Sequence, residues 1–87
     1  MSYTKEEIRE KVNGILFDKL YLEEKDLMDD ALMASDLGAD SLDVIELTME
    51  LENTFQIHIS DNDLDGMFNC PLKKIYELVE EKLRDEK

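Results

Sequence analysis

Ser41 lies within Asp36–Asp43, which reads Asp-Leu-Gly-Ala-Asp-Ser-Leu-Asp. A serine in this setting suggests either nucleophilic attack by its hydroxyl or covalent modification of it. Nucleophilic catalysis needs a general base, but the chain has one histidine, His58, and no Gly-x-Ser-x-Gly turn. The acids at 40 and 43 fit helix capping better than catalysis. We therefore expect no enzyme activity and interpret Ser41 as a modification site.

The hydroxyl of Ser41 is positioned by a predicted helix that begins directly after Asp40, its expected N-cap. The first N–H groups of a helix have no intrahelical acceptor, and the helix dipole also favours anions at this end. A phosphate esterified to Ser41 would therefore lie in a favourable position.

Apolar periodicity predicts an all-α fold, a small four-helix bundle with a long loop between helices 1 and 2 and a short third helix. Thr4 and Glu7 form a capping box at the start of the first predicted helix. Pro71 is expected in the first turn of the last helix. Residues 57–59 have strand propensity but no second strand to pair with. The predicted helices span residues 4–18, 41–55, 61–66 and 71–84, within a single domain at 1–87.

The second predicted helix has too many apolar residues for one buried stripe. At about 100° per residue, one side collects a core-facing set, namely Val44, Leu47, Thr48, Leu51 and Phe55. A second side carries Leu42, Ile45 and Met49, and an acidic stripe of Asp43, Glu46 and Glu50 lies between the two. The second apolar side is explained either by contact with the long loop or by docking of a partner, and periodicity leaves both open.

The chain carries 23 acids and 10 bases in 87 residues, a net charge of −13. Between positions 23 and 65 there are 14 acids and a single base, Lys25. This balance argues against nucleic acids and anionic membranes, and it favours basic protein partners. With one cysteine, Cys70, no internal disulfide can form, and no apolar stretch reaches membrane-spanning length. We expect a cytoplasmic monomer without membrane insertion.

A calcium loop is the main metal-binding alternative. Asp61–Gly66 matches the first half of an EF-hand loop, but its twelfth position is Leu72 rather than Glu, and Pro71 precedes it. Cys70 has no second cysteine or histidine partner for a metal site. No metal site is therefore expected.

The run from Asp36 to Leu42 closely resembles the attachment motif of acyl carrier proteins. In that family the serine of Asp-Ser-Leu receives 4'-phosphopantetheine from coenzyme A, and the thiol of this arm carries acyl groups as thioesters. The resemblance extends over essentially the whole chain and implies that Ser41 is the attachment site. It implies two classes of partner: a phosphopantetheinyl transferase, and acyl-chain synthases, ligases and transferases with basic docking patches.

The resemblance also assigns roles to other positions. Partner enzymes are expected to contact Asp40, Leu42, Asp43, Ile45, Glu46, Met49 and Glu52. A cavity that shelters a growing chain is expected among Leu47, Leu51, Phe55, Ile59, Leu64, Ile75 and Leu78. The sequence departs from the family where Tyr21 stands in a turn in which glycine is common, and where Ser60 replaces a frequent proline.

The resemblance leaves the pathway open. The carrier could serve fatty acid, polyketide or related biosynthesis, or it could carry an aminoacyl or other small unit in a dedicated pathway. An acidic interaction module, with Ser41 unmodified or phosphorylated, is the hypothesis from a different class.

Overall fold

Four α-helices make up the computed structural model, which describes residues 3–85. They are α1 (Lys5–Leu20), α2 (Ser41–Phe55), α3 (Asp61–Asp65) and α4 (Leu72–Asp85). The predicted all-α fold, with its long first loop and short third helix, is confirmed. Positions 1, 2, 86 and 87 of the predicted domain lie outside the described residues.

Several helix ends differ from the predicted ones by one or two residues, and α3 ends at Asp65 rather than at residue 66. α1 continues two residues beyond the expected end at Asp18, and it stops where Tyr21 adopts a left-handed conformation with φ 53°. Pro71 was expected inside the first turn of the last helix, but it immediately precedes α4 and pairs with Leu32 in an isolated antiparallel bridge. The expected end at Asp18 was two residues too early, because α1 continues until Tyr21 takes the left-handed conformation.

The three longer helices enclose the core. α1 contributes Ile8, Val12 and Leu16, and the apolar set predicted for α2 is buried along its whole length. Thr48 is the polar member of that set, and its hydroxyl donates a 2.7 Å hydrogen bond to the Ile45 carbonyl oxygen. α4 adds Leu72, Ile75 and Val79, each without exposed surface.

Side-chain contacts give the helix directions. Tyr3, just before α1, packs edge-on against Phe55 at the end of α2, with ring centroids 5.1 Å apart. Lys5 pairs with Glu80 of α4, whereas Arg9, one turn later, stacks over the ring of Tyr76, one turn earlier in α4. α1 therefore runs antiparallel to α2 and α4, and the beginnings of α2 and α4 lie at the same end of the bundle.

The long loop between α1 and α2 is fixed against the start of α4 by backbone hydrogen bonds. The Met33 N–H donates to the Cys70 carbonyl oxygen at 3.0 Å, and the Leu72 N–H donates to the Ala31 carbonyl oxygen at 2.9 Å. The Lys73 N–H donates to the Asp29 carbonyl oxygen, so loop carbonyls accept from the first turn of α4. The loop also contains a 3₁₀ turn at Glu24–Asp26.

Residues 57–59, with their strand propensity, pass from α2 to α3 without pairing into a strand. Ile57 and Ile59 are buried while His58 between them is exposed, so alternating burial produced the strand-like pattern. Among residues 3–85, none of the helices has both the length and the apolar character needed to cross a lipid bilayer.

Candidate functional site

The segment before Ser41 alternates between the core and the surface. Leu37 and Ala39 are buried, whereas Gly38, Asp40 and Ser41 are exposed. The two apolar side chains anchor the segment, and the hydroxyl of Ser41 faces solvent as the first residue of α2. The alternation of buried and exposed residues before Ser41 therefore leaves the serine at the surface.

Asp36 and Gly38 shape the turn that leads into this segment. The Asp36 carboxylate accepts a 2.8 Å hydrogen bond from the Leu32 N–H, closing residues 32–36 into a turn. Gly38 has φ 74°, a conformation that favours glycine, and its N–H donates to the Ala34 carbonyl oxygen. A Cβ at position 38 would meet nothing within 4 Å, so the backbone conformation rather than lack of space requires glycine.

Asp40 and Asp43 cap the start of α2 reciprocally. The Asp40 carboxylate accepts a hydrogen bond from the Asp43 N–H at 2.9 Å, and the Asp43 carboxylate accepts one from the Asp40 N–H at 3.1 Å. The N–H groups of Ser41 and Leu42 come before the first intrahelical bond, in which Val44 donates to the Asp40 carbonyl oxygen. The site therefore has an exposed hydroxyl and two helix-start donors suited to an anion.

The histidine that a Ser–His pair would need lies far from Ser41. Nδ1 of His58, the single histidine, is 3.5 Å from a carboxylate oxygen of Glu52. Glu52 follows Ser41 by eleven helical residues, about 16 Å along the axis at 1.5 Å per residue. The exclusion of a Ser–His hydrolase thus agrees with the geometry.

The second apolar side of α2 is exposed. Leu42 is 62% exposed, Ile45 39% and Met49 56%, so the long loop does not bury them. Glu46 is exposed beside them, and Asp43 is half-buried. Of the two interpretations of this side, the structure contradicts burial under the loop.

Glu52, like the capping acids Asp40 and Asp43, is held by internal contacts. Its Oε2 atom accepts a 2.9 Å hydrogen bond from the Ile59 N–H, and the same oxygen pairs with His58. This carboxylate therefore organises the connection between α2 and α3 in addition to any contact with a partner.

The residues predicted to line a sheltering cavity are packed into the core or against it. Leu47, Leu51, Phe55, Ile59 and Ile75 are buried, and Leu64 and Leu78 are partly buried. A cleft of about 300 Å³ does lie between α1 and α4, but charged side chains such as Lys5, Arg9 and Lys73 line it. It involves none of the seven predicted residues.

The half EF-hand motif folds as a helix. Asp61–Asp65 forms α3, and the Ser60 side chain caps it. The Asp63 carboxylate accepts from the Ser60 N–H and hydroxyl and pairs with Lys82 at 2.8 Å. The segment therefore has the form of a short helix, and its central acid is paired with Lys82. Cys70 lies outside this motif. Burial raises the pKa of its thiol, which therefore stays protonated.

Asn69 is a residue near the site that sequence reasoning missed. Its side-chain oxygen accepts hydrogen bonds from the Ala34 and Ser35 N–H groups, and its amide nitrogen donates to the Ser35 hydroxyl. The partners are 34 or 35 positions away in the sequence, so no local pattern indicates the contact. The only local signal is that the asparagine stands two residues before Pro71, which itself directly precedes α4.

The four-helix bundle presents an exposed serine at the start of its second helix, where other proteins can reach it. The model of the family described as Phosphopantetheine attachment site matches residues 10–71, well over half of the chain. The chain belongs to this family and is a phosphopantetheine-dependent carrier protein, as the resemblance to acyl carrier proteins indicated. The family binds 4'-phosphopantetheine covalently, and its members are served by a phosphopantetheinyl transferase and by biosynthetic enzymes.

Proposed function

We propose that Ser41 carries the 4'-phosphopantetheine and that the protein is a non-catalytic carrier of acyl groups. The observation that supports this most directly is the exposed hydroxyl at the first residue of α2, fixed by the buried Leu37 and Ala39. When bound, the group supplies a terminal thiol that holds an acyl unit as a thioester.

The residues around Ser41 suit a phosphodiester. The N–H groups of Ser41 and Leu42 lie at the positive end of the α2 dipole and favour an anion there. Two carboxylates nearby would oppose it, but each is engaged with the other's backbone N–H in the capping box. Attachment needs no base from this chain, because the transferase that uses coenzyme A performs the transfer.

The exposed side of α2 is the proposed docking surface, formed by Leu42, Ile45 and Met49 with the adjoining acids Asp43 and Glu46. Its apolar strip would be covered by a partner, and its acids would attract basic patches on that partner. Asp40 lies at the start of this surface, and Glu52 lies on the last turn of the same helix. Transferases, synthases and ligases with basic docking patches fit it best.

The core supports a sheltering role only if it opens. Leu51 and Ile75 have no exposed surface, and protein interiors are packed to crystal-like density. An acyl chain could enter only by displacing such side chains from one another. We propose that the seven predicted residues shelter a chain in this induced manner.

For the cargo, we propose an acyl intermediate of fatty acid, polyketide or related biosynthesis, in a cytoplasmic monomer whose residues 1–87 act as one carrier domain. The second candidate is a dedicated carrier of an aminoacyl or other small unit. Its support is the departure of Tyr21 and Ser60 from the family pattern.

Intact-mass measurement tests the proposed attachment. The chain is incubated with coenzyme A and a phosphopantetheinyl transferase, and it should gain the mass of one phosphopantetheinyl group. Ser41→Ala should gain none, whereas Ser35→Ala, the control at a nearby exposed serine, should be loaded. Loading of Ser41→Ala, or no loading of the native chain by several competent transferases, contradicts the proposal.

A further inference from the structure

The loop that delivers Ser41 has one side-chain link to the segment before α4. Asn69 accepts from the Ala34 N–H at 2.9 Å and from the Ser35 N–H at 3.0 Å, and it donates to the Ser35 hydroxyl at 3.0 Å. These three hydrogen bonds use the acceptor and one donor of a single amide. They fix two consecutive loop residues against a segment more than thirty positions away.

The fixed residues are bonded directly to the segment that holds the serine. The Ala34 carbonyl oxygen accepts from the Gly38 N–H at 3.2 Å, and the carbonyl oxygen of neighbouring Met33 accepts from the Ala39 N–H at 2.9 Å. Ala39 is followed by Asp40, the N-cap of α2. A continuous path of hydrogen bonds and peptide units therefore joins Asn69 to Ser41.

We infer that Asn69 is a positioning residue that keeps the Ser41 hydroxyl in the orientation a transferase accepts. This inference rests on the proposed attachment at Ser41. Without the amide, the two N–H groups at 34 and 35 turn to water, and Gly38 loses a fixed acceptor because its acceptor is the Ala34 carbonyl oxygen. The loop then samples orientations of Ser41 that a rigid enzyme pocket does not bind.

This role predicts an effect on KM rather than on kcat. If only a fraction of the molecules present the serine correctly, the apparent affinity falls by that fraction, while the bound complex reacts as before. Asn69→Ala should raise the KM for transferase loading by about three- to tenfold and leave kcat within about twofold. Asn69→Asp keeps an oxygen acceptor for both N–H groups and should restore most of the affinity.

A matched control separates positioning from loss of stability. Asn13 also links distant elements, because its side-chain oxygen accepts from the Tyr76 hydroxyl between α1 and α4. Asn13→Ala removes an inter-element hydrogen bond of the same amide type on α1 rather than on the loop. It should leave the KM of loading unchanged. An equal rise in KM for both variants overturns the inference.

Amide hydrogen exchange supplies a readout independent of any transferase. In Asn69→Ala, exchange at Gly38 should accelerate by at least about tenfold, whereas the amides of α2 from Leu47 to Leu51 should keep their rates. Unchanged exchange, or faster exchange with unchanged KM, overturns the positioning role. If the native chain is not loaded at all, the proposed function fails, and the exchange data still report whether Asn69 fixes the loop.

Discussion

The carboxylates of Asp40 and Asp43 each accept a hydrogen bond from the backbone N–H of the other, at 2.9 and 3.1 Å. This reciprocal capping starts α2 at Ser41, immediately after the buried Ala39. The two acids beside the serine are therefore structural parts of the site. The partner contacts proposed for them come in addition to this role.

Asp40→Ala should lower the free energy of unfolding by about 1 kcal/mol, the usual cost of losing an N-cap. The reason is that the Asp43 N–H loses its acceptor at the start of α2. Urea denaturation measures the change. Asp40→Asn, which still caps, should stay close to the native stability. An equal loss in both variants would show that charge rather than capping stabilises the helix.

Glu46→Lys should slow the second-order rate of transferase loading, and the effect should shrink as ionic strength rises. Glu46 is exposed on the docking surface and takes no part in the cap, so its reversal changes the field met by a basic partner. Asp43→Lys is less informative because it also breaks the capping box. Loading rates at low and high salt are the measurement.

Glu10→Lys is the matched control, since Glu10 is exposed on α1 and is outside the docking surface. It makes the same change in net charge. If both reversals slow loading equally, the partner senses the total charge of the protein, and the acids of α2 are not a specific docking feature.

The start of α2 was predictable because it depends on interactions between residues that are close in the sequence. Caps and apolar alternation act over a few residues, so the position of Ser41 at the start of α2 could be inferred from the sequence, whereas periodicity left open whether the second apolar side of that helix is exposed. The contacts of Asn69 with Ala34 and Ser35, and of Glu52 with Ile59, depend on how separate segments pack. Periodicity contains no information about such pairings. The acids at 61–65 were ambiguous because the same spacing suits a calcium loop and a short capped helix.

Tyr21→Gly should raise the free energy of unfolding by up to about 1 kcal/mol, as measured by urea denaturation. Tyr21 ends α1 with φ 53°, a conformation that costs non-glycine residues roughly 1 kcal/mol or more. Its side chain is 94% exposed, so little packing is lost with it. Gln56→Gly is the comparison, because Gln56 has φ 56° but its side chain donates a hydrogen bond to the Asn53 carbonyl oxygen. A smaller gain is expected there, and a loss of stability in Tyr21→Gly would contradict the argument.

Asp63 should make the stability depend on pH in the acid range. Its hydrogen bond with Lys82, and further bonds with Ser60, hold the pKa of the carboxyl below its ordinary value of 3.8. Because the folded pKa is the lower one, the stabilisation is fully present above the unfolded pKa. It is lost as the pH falls from there through the folded pKa.

Asp63→Asn removes this carboxyl and therefore isolates its contribution. The native chain should be more stable than the variant at neutral pH, and the difference should shrink as the pH falls below about 4. Urea denaturation across this range gives the two curves, and half of the pH-dependent difference should be lost midway between the unfolded and folded pKa values of the carboxyl. Since Asp63 links Ser60 at the start of α3 to Lys82 of α4, helix α3 should be the first element to lose amide protection in acid. A stability difference that stays constant with pH would mean that the Asp63 contacts act through shape and hydrogen bonding alone.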